Sequence, residues 1–136
     1  MDVFSRKDRS RIMSLVRNRN TRPERLVRSM LHRMGVRFRL HRHELPGCPD
    51  IVLSSRKKVV FVHGCFWHCH NGCSRSNLPT TRVAFWRKKI SGNQRRDGEH
   101  LKALRYLGWR ALIVWECELK NPERLGRKLA KFTEID

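Results

Sequence analysis

Asp50-Ile51-Val52-Leu53-Ser54-Ser55-Arg56-Lys57-Lys58-Val59-Val60-Phe61-Val62-His63 decides the architecture. Two apolar runs rich in branched residues, 50–53 and 58–63, flank the polar link 54–57, a pattern that predicts two strands joined by a tight hairpin. Upstream, Val36-Arg37-Phe38-Arg39-Leu40 alternates like a half-exposed strand. Downstream, residues 109–115 form an apolar, branched run expected to be a strand buried on both faces.

Helices fill the spaces between. Thr21-Arg22-Pro23-Glu24 reads as a helix start: a capping Thr, Pro in the first turn and an acid three residues after the cap. Leu26, Val27, Met30, Leu31 and Met34 follow at helical spacing, and Gly35 ends the run. Residues 8–17 are expected to form a short basic helix with Ile12, Leu15 and Val16 on one side. Thr80 or Thr81 is expected to cap a long helix, interrupted at Gly92 and Gly98 and ending at Gly108. A last amphipathic helix is expected over 122–132. The order helix, strand, strand, strand, helix, strand, helix predicts an α/β fold, a mixed sheet flanked by helices.

The chain has 136 residues and a formal net charge of +19, room for one domain with a polyanionic partner. Arginine supplies 22 of the 31 basic residues, which favours planar, bidentate contacts with phosphate. At 39% hydrophobic it has enough apolar surface for a core, which excludes a disordered basic tail. The longest apolar runs, 59–62 and 111–115, are too short to cross a bilayer, and residues 1–10 lack the apolar stretch of a secretion signal. A cytoplasmic protein without membrane contact is expected.

Cys65, Cys69 and Cys73 are interleaved with His63, His68 and His70. In a reducing compartment such crowding favours a metal over disulfides, and a structural zinc takes four Cys or His. A local trio with a remote fourth ligand is plausible, and Cys117 is the natural remote candidate if strand 109–115 lies beside strand 58–63. Cys69 and His68 are chemically eligible too. A closed four-ligand site would stabilise the 64–79 loop and leave no position for catalysis.

Only twelve acids occur in so basic a chain. Asp50 follows Pro49 and opens a strand, where a carboxylate can reach a hard cation such as Mg²⁺, or can simply be a turn acid. Glu24 completes the capping box and can pair with Arg28 one turn later. His63 and His68 could move protons near neutral pH or cap buried polar groups. Asp97 could orient a histidine or join the Arg95-Arg96 surface. Phe66-Trp67, adjacent large aromatics in a polar loop, suit either stacking on bases or packing around the zinc loop. Trp86, Trp109 and Trp115 fall within regular elements and are expected in the core.

Gly64-Cys65-Phe66-Trp67-His68, Phe85-Trp86, Asn93-Gln94-Arg95-Arg96-Asp97, Leu107-Gly108-Trp109 and Val114-Trp115-Glu116-Cys117 together resemble the very-short-patch repair (Vsr) endonucleases. Arg9-Ser10-Arg11-Ile12-Met13-Ser14, Thr21-Arg22-Pro23-Glu24 and Leu45-Pro46-Gly47-Cys48-Pro49-Asp50 fit the same pattern. The resemblance implies a restriction-endonuclease-like fold and one endonuclease domain over 1–136, with a basic DNA-contacting segment at 1–20 and a zinc loop at 64–79. It implies Mg²⁺-dependent nicking on the 5′ side of the thymine in T:G mismatches left by deamination of 5-methylcytosine. It matches Asp50 to the metal-binding aspartate, and Glu24, His63, His68 and Asp97 to the remaining active-site positions. A main-chain carbonyl near Val62 would be the second protein contact to Mg²⁺. Cys65, His70, Cys73 and Cys117 match the structural Zn²⁺ ligands, and Met13, Phe66 and Trp67 match the side chains that wedge into the duplex. A monomer acting on double-stranded DNA is expected, with mismatch-repair accessory proteins as further candidate partners. The rival readings are a zinc-stabilised DNA-binding module without catalysis, an RNA-binding factor, and a same-fold endonuclease for another mismatch or lesion.

Overall fold

A computed structural model describes residues 21–68, 70, 72, 73, 77 and 79–134. The expected basic helix at 8–17, Met13 and Cys69 lie outside the described residues.

The predicted hairpin forms. Strands β2 (Ile51–Leu53) and β3 (Lys58–His63) pair antiparallel, with Ile51 opposite Val60 and Leu53 opposite Lys58. A 3₁₀ turn (Ser54–Arg56) joins them, and Lys57 closes it in the left-handed region at φ 51°. β1 (Arg39–Leu40) pairs antiparallel with β2. It covers only two exposed residues of the five read as a strand, since an edge position has few partners to pack against. β4 (Arg110–Trp115) pairs parallel with β3 over six residues, giving a mixed sheet of order β1-β2-β3-β4.

The sheet buries both faces. Ile51, Leu53, Val60 and Val114 point to one side, where helices α1 (Arg22–Arg33) and α3 (Pro122–Thr133) supply Val27, Leu31, Leu125 and Leu129. Val52, Val59 and Phe61 point to the other, against Leu104 of helix α2 (Val83–Tyr106). This alternation follows from the strand period of two. β4 contributes to both faces as expected, yet only Val114 is fully buried, because β4 is an edge strand.

Thr21 caps α1, its Oγ1 accepting from Glu24 N–H at 3.3 Å. Val27 and Leu31 bury completely, whereas Leu26 and Met34 of the same stripe stay partly exposed at its margins. α2 departs from expectation in two ways. Its cap is Arg82, in the left-handed region at φ 54°, not Thr80 or Thr81. It also runs unbroken through Gly92 and Gly98, since each internal glycine costs only about 1 kcal/mol and both halves of the helix are anchored. One half packs on the sheet through Leu101 and Leu104, and the other meets the loop that follows β3.

Leu129→Ala is expected to cost about 2–4 kcal/mol in urea denaturation, as a fully enclosed leucine does. Leu26→Ala, from a helical stripe that reads the same in sequence but is 41% exposed, should cost less than about 1 kcal/mol.

Candidate functional site

The hairpin splays where the candidate chemistry begins. Continuing the β2–β3 register would bring Pro49 opposite Val62, but the pairing stops at Ile51 and Val60. Val62 N–H donates instead to Asp50 Oδ2 at 2.7 Å. Burial pushes the Asp50 carboxyl up to about 7, and the nearby Glu24 adds to the rise; the Val62 N–H, His68 and Arg28 oppose it.

A cleft of about 450 Å³ opens beside this carboxylate. Val62, His63, His68 and Asp97 line it with Asp50, so four of the five predicted catalytic positions share one cavity. Asp97 Oδ2 lies 2.6 Å from His68 Nδ1. The carboxylate therefore accepts from Nδ1–H, which leaves Nε2 as the nitrogen of that ring able to exchange a proton. His63 stacks on His68, with ring centroids 3.7 Å apart and planes 6° from parallel. Burial, reinforced by His68, pulls His63 down to about 4, so it is neutral at neutral pH. Its buried Nδ1 has no hydrogen-bond partner among the described residues.

Glu24, the fifth position, approaches from α1 and is only 1% exposed. Its Oε1 accepts from Arg28 at 2.7 Å and lies 2.5 Å from His41 Nε2. Ligand-capable atoms of Glu24, His41 and Asp50 lie within 4.8 Å of one another, as do those of His63, His68 and Asp97. Sequence reasoning missed His41, which extends the β1–β2 pairing through its N–H to Asp50 O at 3.3 Å. It also missed His43, Cys48 and His100 on the cleft wall. The available signal was compositional: five of the seven histidines line this one cavity.

The Cys/His cluster lies at the same end of the sheet. Because His63 and Trp115 are in register on parallel strands, Cys65 and Cys117 emerge side by side two residues later. The ligand atoms of Cys65, His70, Cys73 and Cys117 all lie within 4.8 Å of one another. His70 Nδ1 is 3.7 Å from Cys65 Sγ and 3.4 Å from Cys117 Sγ. Zinc–sulfur and zinc–nitrogen bonds of ordinary length give tetrahedral edges of roughly 3.5–3.8 Å, so the four residues could hold such an ion. Burial, with the neighbouring thiols adding to it, raises Cys65 to about 12, so without a cation it stays a neutral thiol. Glu116 Oε1 accepts from Cys65 N–H at 3.1 Å, and His70 stacks on Trp115 with centroids 4.2 Å apart.

Phe66 and Trp67 meet edge-on at 5.1 Å. Trp86 joins them at 5.4 and 5.8 Å, and so belongs to this aromatic cluster, not to the sheet core. The reason is that its half of α2 packs against the loop. Trp115 likewise sits between His63 and His70, while Trp109 packs on the core as expected. Asn93 Nδ2 donates to Trp67 O at 2.9 Å, tying the loop to α2.

A mixed sheet with a buried carboxylate and histidines at its splayed end, in a chain of charge +19, has the charge and the side chains that a DNA-cleaving enzyme requires. A solved structure titled as the catalytic domain of homing endonuclease I-Bth0305I has the same fold, at TM-score 0.58 and 21% identity over 83% of this chain and 94% of that one. A family model described as DNA mismatch endonuclease Vsr matches residues 1–75. The chain is 43% identical to DNA mismatch endonuclease Vsr of Escherichia coli, over 91% of this chain and 79% of that protein. It is 51% identical to the type II nicking enzyme V.XorIIP of Xanthomonas oryzae, over 98% and 97% respectively. The chain belongs to the Vsr family of DNA mismatch endonucleases.

Folding raises Asp50 above its ordinary value of 3.8, so its neutral form is the one the fold favours. That contribution is complete below about pH 4 and is lost as pH climbs through about 7. Asp50→Asn cannot ionise and should therefore stabilise the protein in magnesium-free buffer by up to about 4 kcal/mol near pH 8, with the gap closing by about pH 4 in urea titrations.

Proposed function

We propose that this endonuclease nicks one strand of duplex DNA on the 5′ side of the thymine in a T:G mismatch, using Mg²⁺ at Asp50. The observation that carries the reading is the convergence of Asp50, His63, His68 and Asp97 on one cleft, with Glu24 behind them. A DNA-binding module without catalysis has no need of two histidines and buried carboxylates gathered at one cavity.

The residues suit a hard cation. Asp50 is a buried carboxylate with few donors, and in an antiparallel ladder a residue's N–H and C=O leave by the same edge, so the Val62 carbonyl faces the gap that Asp50 occupies. Mg²⁺ there would neutralise charge building on the phosphate and make water beside it more acidic. His68, with its tautomer set by Asp97, takes the proton from the attacking water through Nε2. His63 keeps the His68 ring in plane, and its place on the cleft wall sets it beside water or a phosphate bound there. Glu24, anchored by Arg28 and His41, orients water on the far side of Asp50.

Zinc on Cys65, His70, Cys73 and Cys117 would hold the 64–79 loop that carries Phe66 and Trp67. Those two rings, with Met13, would enter the duplex at the mismatch. Unstacking a T:G step takes less free energy than unstacking a paired one, which makes deformability the source of discrimination. The activity fits a cytoplasmic monomer, since one cleft serves one strand; accessory repair proteins would act on the nicked product. No described helix is long and apolar enough to cross a membrane.

Strand-resolved cleavage of T:G duplexes with Mg²⁺ should yield a single nick 5′ of the thymine, and a matched duplex should stay intact. Asp50→Ala should abolish nicking while duplex affinity stays within about threefold; cleavage by that variant would remove Asp50 from the chemistry. Replacing Phe66 and Trp67 by Ala should narrow the preference for T:G over matched DNA by roughly tenfold or more. Cys117→Ser should lower bound zinc below one equivalent by atomic absorption, and should lower the unfolding temperature.

A further inference from the structure

We propose that Arg82, held on the ring of Phe85, is a phosphate clamp that fixes the DNA backbone beside the inserted aromatics, an inference that rests on Phe66-Trp67 facing the duplex. The rings form a continuous series from the loop to this arginine. Trp67 meets Phe66 at 5.1 Å, Phe66 meets Trp86 at 5.4 Å, Trp86 meets Phe85 at 5.2 Å, and Arg82 Cζ sits 4.5 Å from the Phe85 centroid. Phe85 is 45% exposed, high for a large aromatic.

The pairing leaves the guanidinium ready for a ligand. Among the described residues Arg82 makes no side-chain hydrogen bond or ion pair, a state it shares with several other arginines, and it is the arginine set over an aromatic ring. A guanidinium resting on a ring keeps the N–H groups at its edge free and loses rotamer freedom before any ligand arrives. The geometry that edge matches is a phosphate with two oxygens. Residues 83–94 add Arg87, Lys88 and Lys89 and contain no Asp or Glu, so no carboxylate within them competes for Arg82.

A backbone contact carries no sequence information. Arg82 therefore strengthens binding to matched and mismatched duplexes alike, whereas Phe66 and Trp67 set the difference between them. Phe85 acts through Arg82 as a positioning residue.

The test is duplex affinity against salt, on T:G and matched DNA, alongside a nicking assay of the wild-type protein on both duplexes. Arg82→Ala should weaken both duplexes by a similar factor, roughly tenfold, and lower the slope of log Kd against log salt by about one. Arg82→Lys should keep the slope while losing part of the affinity. Phe85→Leu should weaken both duplexes several-fold. An unchanged slope in Arg82→Ala, or a loss confined to the mismatched duplex, overturns the clamp. Wild-type protein that leaves T:G duplex intact overturns the mismatch reading instead, and the salt slopes still decide the clamp.

Discussion

The bond from Val62 N–H to Asp50 Oδ2 is where the sheet stops being scaffold and becomes site. A ladder of backbone bonds satisfies its own donors. Here the ladder opens and a side-chain carboxylate takes one donor in its place, inside the fold. One neutral N–H is poor compensation for burying a charge, and this is why Asp50 rests near neutrality in its titration. The protein tolerates the mismatch between burial and charge because β3 is held on both faces by the core and cannot relax toward it. Such a carboxylate gains most from a partner that brings positive charge.

The parallel pairing of β3 with β4 then couples this cleft to the Cys/His cluster. The two strands end in register, so one delivers His63 and Cys65 and the other delivers Trp115 and Cys117. Between the clusters the rings are continuous. His68 lies on His63, His63 meets the edge of Trp115, and Trp115 lies on His70. A cation that drew Cys65, His70, Cys73 and Cys117 together would therefore also fix the plane against which His63 and His68 stack. The cluster would act on the chemistry through packing, with no coordination position exposed to substrate.

How much of this was legible in the residues depended on the range of the interactions. The hairpin, α1 and α3 follow from local periodicity and capping, so their boundaries emerge nearly as expected. β1 and the cap of α2 did not, since edge exposure and the left-handed turn at Arg82 are set by what surrounds them. Trp86 illustrates the same limit. Helical position says that it is buried on some face, but only the packing of α2 on the loop says that its partners are Phe66 and Trp67. Asp50, His63, His68 and Asp97 were legible through their matches to the family's motifs. His41 and His100 were not, because a histidine in a loop or helix carries no local mark of the cavity it will line.

The division of labour between rigid and adjustable parts follows from the same geometry. Reacting groups must be placed within a fraction of an ångström, and the candidates Asp50, Val62 and His63 sit at strand ends whose neighbours are core residues. Groups that deform DNA face a different demand, since a side chain that yields on contact cannot unstack a base step. Phe66 and Trp67 lie in a loop, the least rigid kind of element, yet are braced by Trp86 behind them and by Asn93 on the Trp67 carbonyl. The loop borrows its stiffness from a helix of 24 residues whose other half is locked on the sheet. Force applied at Phe66 and Trp67 would thereby be carried to the scaffold that holds Asp50, so that under the proposed function the positions of the mismatch and of the scissile phosphate would be set together.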